Sequence, residues 1–158
     1  MIKVGEKVPD FVLNGINAQG QAQEYSLKDL LKGQRYLVLY FYPRDNTPGC
    51  TTEACDFRDQ QESLGEKVTT VGVSPDSVST HQKFREKQGL NFPLLCDPDH
   101  RMLEAYQAWG LKKLYGKESM GVVRSTCLIK GDGTLVKHWP KVKVAGHVAQ
   151  VLEAIAGA

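Results

Sequence analysis

The run Tyr36-Leu-Val-Leu-Tyr-Phe-Tyr42 is apolar at both odd and even positions. A strand with one solvated face alternates apolar with polar residues, whereas a strand covered on both faces is apolar throughout. The run therefore predicts a buried strand, and Pro43 ends it abruptly. A polar turn follows, and Pro48-Gly49 then delivers Cys50 to the first turn of a helix that should reach about Leu64, with Gly65 as its stop. A buried strand feeding a helix through a short loop commits the chain to a layered α/β sheet.

The remaining segments extend that pattern. Pro9–Leu13 and Gln21–Tyr25 flank Asn14-Gly15 and Gln19-Gly20, a hairpin signal. Ser26 can cap a short helix, Leu27–Leu31, closed by Gly33. Strands are expected at Val68–Val73, Phe92–Cys96, Val122–Ile129 and Thr134–Trp139. Helices are expected at Val78–Gln88, ended by Gly89, at His100–Trp109 with Met102, Leu103 and Tyr106 inward, and at Val144–Ile155. Gly110–Gly121 reads as a mixed loop. The sum is one α/β domain spanning 1–158: a central mixed β-sheet flanked by helices, with an N-terminal β-hairpin extension. Alternation alone leaves a thioredoxin-like sandwich and a flavodoxin-like sheet both open.

Composition narrows the function. With 41% hydrophobic and 24% charged residues and a net charge of +2, the chain has ordinary globular character and too little charge to argue for nucleic acid. Lys112-Lys113 and Lys137 to Lys143 read as solvated edges. No apolar run approaches the ~20 residues of a membrane span, and the N-terminus lacks the apolar core of a signal peptide, so a cytoplasmic location is expected. In that reducing compartment Cys50, Cys55, Cys96 and Cys127 do not make a structural disulfide framework. The chain has no CxxC pair and no two histidines at zinc-ligand spacing, so no metal is expected. His81, His100, His138 and His147 read as surface or hairpin residues, and Trp109 and Trp139 as packing residues. Redox or nucleophilic use of a cysteine remains.

Around Cys50 the residue types suit that use. The N-terminus of a helix offers unpaired N–H groups and the positive end of its dipole, which favour a thiolate. Thr47 places a hydroxyl near the sulfur, Gly49 permits close backbone approach, and Pro43 can shield the pocket from water. Pro43-x-x-x-Thr47-x-x-Cys50, followed by Glu53, resembles the signature of the peroxiredoxins. Thr47-Pro-Gly-Cys-Thr-Thr-Glu-Ala-Cys55 resembles more closely their bacterioferritin-comigratory, or Q-type, subgroup. Val73-Ser-Pro-Asp-Ser77, Phe92-Pro-Leu-Leu-Cys-Asp-Pro-Asp99, Met120-Gly-Val-Val-Arg-Ser-Thr126 and Lys141-Val-Lys-Val-Ala-Gly-His147 carry the resemblance along nearly the whole chain.

The resemblance implies a thioredoxin-like fold and a thiol peroxidase acting on hydrogen peroxide or organic hydroperoxides, without metal, haem or flavin. It implies Cys50 as the peroxidatic cysteine, Thr47 and Arg124 as its partners at the substrate, Pro43 as shield and Glu53 as a residue that can orient Arg124. It implies Cys55 as the resolving cysteine, thioredoxin or a similar dithiol protein as reductant, and a monomeric enzyme. Five helical residues separate two Cα atoms by about 7.5 Å of axial rise. A disulfide needs less than about 7 Å, so a Cys50–Cys55 bond requires the helix to open. Cys96 and Cys127 read as small buried hydrophobes, with Cys96 a distant second to Cys55 as the resolving thiol. A protein dithiol–disulfide oxidoreductase and a redox-sensing binding protein are the rival readings.

Overall fold

The computed structural model describes residues 1–157. In chain order the elements are β1 (Val12–Ile16), β2 (Ala22–Ser26), α1 (Leu27–Leu31), β3 (Tyr36–Phe41), α2 (Pro48–Asp59), α3 (Gln61–Leu64), β4 (Val68–Ser74) and α4 (Val78–Gln88). They continue as β5 (Leu94–Cys96), α5 (Arg101–Ala105), β6 (Trp109–Leu114), β7 (Lys117–Val122), β8 (Ser125–Lys130), β9 (Leu135–Trp139) and α6 (His147–Ala156). Seven strands form one sheet in the order β2-β1-β5-β4-β3-β8-β9. β3, β4 and β5 run parallel, and the flanking strands are antiparallel to their neighbours. The N-terminal hairpin is thus the edge of the main sheet, joined to it through β1 and β5.

The unbroken apolar run becomes β3, buried at every position and paired on both sides, by β4 and by β8. Because successive side chains point to opposite faces, its residues divide between two core layers. Leu37, Leu39 and Phe41 meet α1 and α5 through Leu27, Leu30, Met102 and Leu103. Tyr36, Val38, Tyr40 and Tyr42 meet α2, α4 and α6 through Ala54, Phe57, Phe84, Val148 and Val151. The Tyr40 ring stacks on Phe57 at 4.7 Å between centroids, and a Cβ on Gly72 would stand 2.9 Å from that ring, so only glycine fits the neighbouring strand. Ser26 caps α1 in a reciprocal capping box with Asp29, and Ser77 caps α4, which closes on left-handed Gly89.

Four expectations change. The helix through Cys50 breaks at Gln60, because the Gln61 side-chain amide takes the Phe57 carbonyl that a continuous helix would give to the Gln61 backbone. The helix expected over His100–Trp109 stops at Ala105. Trp109 opens an antiparallel ribbon, β6–β7, where a mixed loop is expected. Its turn places Tyr115 (φ 52°) and Gly116 (φ 79°) in the left-handed region that a two-residue hairpin requires. Leu111, Tyr115 and Met120 are exposed along this ribbon, an apolar surface not anticipated from the sequence. Finally, β8 begins at Ser125, so Arg124 precedes the strand expected to carry it. The Val123 amide donates to Ala108 and the Arg124 carbonyl accepts from Val142, which takes both residues out of the sheet. No helix among the described residues is long and apolar enough to cross a membrane.

Candidate active site

Pro48 and Gly49 are the first two residues of α2, which makes Cys50 the third, with its sulfur turned inward against the sheet at 1% exposure. The first intrahelical bond runs from the Thr51 amide to the Thr47 carbonyl at 2.8 Å, so the preceding amides have no acceptor within the helix. Nη2 of Arg124 donates to Cys50 Sγ at 3.2 Å. Nη1 of the same guanidinium donates to Glu53 Oε1 at 2.7 Å. Glu53 lies one helical turn after Cys50, so α2 presents the thiol and the carboxylate on one face, and the arginine fork bridges them.

Glu53 is fully buried, and its Oε2 has no protein hydrogen-bond partner among the described residues. Burial pushes its carboxyl up to about 7 against the opposing pull of Arg124. Burial also works against the Arg124 charge, but Glu53 and Cys50 outweigh it and hold the guanidinium above its ordinary value. Arg124 shares a surface groove with Leu111, Lys112, Val123, Lys141 and Val142. Gly49 packs directly beneath the guanidinium: a Cβ there would stand 3.3 Å from Nη2.

Thr47 sits at the N-cap, yet its hydroxyl donates to the Arg44 carbonyl at 2.9 Å and makes no capping bond. Its hydrogen is engaged by that carbonyl, leaving lone pairs as what the hydroxyl can offer a substrate. Pro43 stands half-buried where the chain leaves β3. Cys55 lies within α2, half-buried, and its thiol reaches Gln88 Oε1 of α4 at 3.6 Å. All four cysteines are free. Cys127 is fully buried in the other core layer, and burial pushes its thiol up to about 12.

A second polar cluster lies beside the Cys50 loop. His81 Nδ1 and Asp45 Oδ2 are 2.6 Å apart with both side chains fully buried, and His81 Nε2 meets the Leu95 carbonyl at 2.9 Å. Both partners of the ring are acceptors, so both nitrogens donate and the ring is imidazolium. Burial pulls its pKa down, but the Asp45 bond and Cys96 outweigh that and bring it to about 10. Tyr42 Oη donates to Asp45 Oδ1 at 2.6 Å, and the Asp45 amide donates to Asp76 Oδ2 at 2.8 Å. Asp45, Asp76 and His81 bring ligand-type atoms within 4.8 Å of one another, but these hydrogen bonds already occupy both ring nitrogens. His81 is therefore no surface histidine, and neither is His147, whose Nε2 meets Thr126 Oγ1 at 2.8 Å in the core. One signal for His81 was available: it falls on the inward stripe of α4, a helical turn from both Val78 and Phe84.

Residues 4–138 match the model of the AhpC/TSA family. Peroxiredoxin Bcp of Bacillus subtilis is 52% identical over 155 residues, covering 98% of this chain and 95% of its own. A putative peroxiredoxin of Helicobacter pylori is 47% identical, covering 98% of each. Among solved structures, the bacterioferritin comigratory protein of Xanthomonas campestris, for which alkyl peroxide reduction activity is described, is 38% identical with a TM-score of 0.81, covering 92% of this chain and 90% of that one. A variant of the peroxiredoxin Q of Xylella fastidiosa reaches a TM-score of 0.83 at 34% identity, covering 99% and 97%. Fold, thiol site and relatives agree: the chain belongs to the AhpC/TSA family and, within it, is a peroxiredoxin of the bacterioferritin-comigratory, Q-type group.

Proposed function

We propose that Cys50 is the peroxidatic cysteine and that Cys55 resolves it. The observation that carries this reading is the Arg124 fork, 3.2 Å from the Cys50 sulfur and 2.7 Å from the Glu53 carboxylate. A guanidinium held there stabilises a thiolate before reaction and the negative charge that builds on the peroxide oxygens during it. The Cys50 thiolate attacks the terminal peroxide oxygen. An S–O bond forms as the O–O bond breaks, sulfur is oxidised to sulfenic acid, and the displaced oxygen takes a proton from solvent water to leave as alcohol or water. The Gly49 and Cys50 amides and Arg124 donate to the reacting oxygens, and the Thr47 oxygen accepts from the peroxide O–H. Thr47 acts as acceptor and not as donor, because its own hydrogen is engaged by the Arg44 carbonyl.

The sulfur of Cys55 then attacks Cys50, a disulfide forms, and the sulfenic oxygen departs as water. Both cysteines belong to one continuous helix, so the first turn of α2 unwinds to bring them together. The absence of a side-chain cap and the presence of Gly49 in the first turn favour opening at that end. A dithiol protein such as thioredoxin returns both thiols with two electrons. The substrates are hydrogen peroxide and organic hydroperoxides, the latter in keeping with the alkyl peroxide activity of the Xanthomonas relative. Mass mapping after one equivalent of peroxide tests both roles at once. A Cys50–Cys55 peptide pair is expected, and a disulfide joining any other pair overturns the assignment of Cys55. Undiminished peroxide consumption by Cys50→Ser overturns that of Cys50.

A further inference from the structure

A Cys50–Cys55 disulfide requires a helix turn that opens and re-forms, and the opening must stop at some point along the chain. The chain on either side of Thr47 is held very differently. Downstream, the first turn of α2 has no side-chain cap, carries Gly49, and follows Asn46 in the left-handed region at φ 61°. Upstream, Asp45 is 4% exposed and tied at three points to three elements. Its Oδ1 accepts from Tyr42 just after β3 at 2.6 Å, its Oδ2 from His81 of α4 at 2.6 Å, and its amide donates to Asp76 after β4 at 2.8 Å. Asp76 is fixed in turn by the Ser74 hydroxyl at 2.7 Å, and His81 by the Leu95 carbonyl of β5 at 2.9 Å. A buried ion pair with both carboxylate oxygens and both ring nitrogens hydrogen-bonded breaks only at high cost, whereas an uncapped helix turn opens at low cost.

We propose that the Asp45–His81 pair is the fixed stop of the Cys50 turn. It holds residues 43–46 in place while the turn from Thr47 onward unwinds, and so sets how Cys50 is divided between the folded turn, which attacks peroxide, and the open turn, which meets Cys55. Neither residue touches substrate; both are positioning residues acting through the loop backbone. The proposal rests on the resolving role of Cys55. Losing the pair extends the opening backwards into the loop, so the open turn gains population. Attack on peroxide then slows. Sulfenic acid is captured by Cys55 sooner, and less of it meets a second peroxide to become sulfinic acid.

The test compares wild type with His81→Asn and Asp45→Asn. Leu135→Ala, a core truncation beside β8 in the opposite layer, serves as a control for general destabilisation. Stopped-flow mixing with hydrogen peroxide gives the attack and disulfide-closure rates, and mass spectrometry gives the over-oxidised fraction. Both variants of the pair are expected to attack about tenfold more slowly, to close faster, and to form several-fold less sulfinic acid. Amide exchange should rise over residues 43–51 in these variants and not in the control. Asp45→Asn keeps the shape and one acceptor of the aspartate, so it reads the proposal even if His81→Asn does not fold. Attack, closure and over-oxidation all within twofold of the control would overturn the fixed stop. If wild type forms no Cys50–Cys55 bond, the resolver assignment fails instead; if wild type forms the bond and the variants match its rates, the stop alone fails.

Discussion

A methyl group on Gly49 would lie 3.3 Å from Arg124 Nη2, the nitrogen that donates to Cys50. Gly49→Ala therefore sets two effects against each other. Alanine stabilises a helix by about 1 kcal/mol over glycine, so the folded turn should gain stability. The displaced guanidinium loses its aim, and the rate of peroxide attack should drop about tenfold, since small misplacements at a reacting centre are expensive. Thermal melts and single-turnover kinetics should thus move in opposite senses; if both improve, Arg124 is not positioned by this contact. Arg124→Lys removes the planar fork that serves Cys50 and Glu53 together, and attack should slow on the order of a hundredfold. Glu53 is raised from 4.5 to about 7 by burial. Across that window the folded chain holds a proton the unfolded chain has released, so stability falls as pH rises from 4.5 to 7. Glu53→Gln, neutral throughout, should flatten this slope in thermal melts. An unchanged slope would place the proton elsewhere.

At the level of the element, opening of α2 has a signature in amide exchange. Oxidation to the Cys50–Cys55 disulfide should speed exchange over Gly49 to Thr52 and leave Phe57, packed in the core, and Arg58 after it protected. Uniform loss of protection along α2 would show that the helix detaches as a unit. The strand, the loop and the start of this helix are legible in the sequence because each has a local cause: apolar residues at both parities, Pro43, and Pro48-Gly49. Three features were not. The β6–β7 ribbon buries little, so it carries no hydrophobic period, and its turn is made by Tyr115-Gly116, not by an Asn-Gly signal. Arg124 could be recognised as a partner of Cys50 through family resemblance, but its exit from the strand is fixed by Ala108 and Val142, residues far off in the chain. Asp45 and His81 meet across 36 positions, and neither residue type announces a buried pair.

Over the whole molecule, stability should depend on pH through His81. The ring holds its proton to about 10 in the folded chain and to 6.5 in the ordinary range, so the stabilisation is complete below 6.5 and fades as pH climbs towards 10. Melts at pH 7 and 9 should differ by a few kcal/mol of stability, and His81→Asn should largely abolish the difference. The two core layers have a further consequence. Cys127 is sealed in the layer away from Cys50, on a strand flanked by β3 and β9. Alkylating reagents added to the native protein should label Cys55 first and reach Cys127 only when the sheet comes apart. The chain thus carries its own unfolding clock: timed labelling of Cys127 reports global opening, and labelling of Cys50 reports the local turn, in one tube and on one molecule.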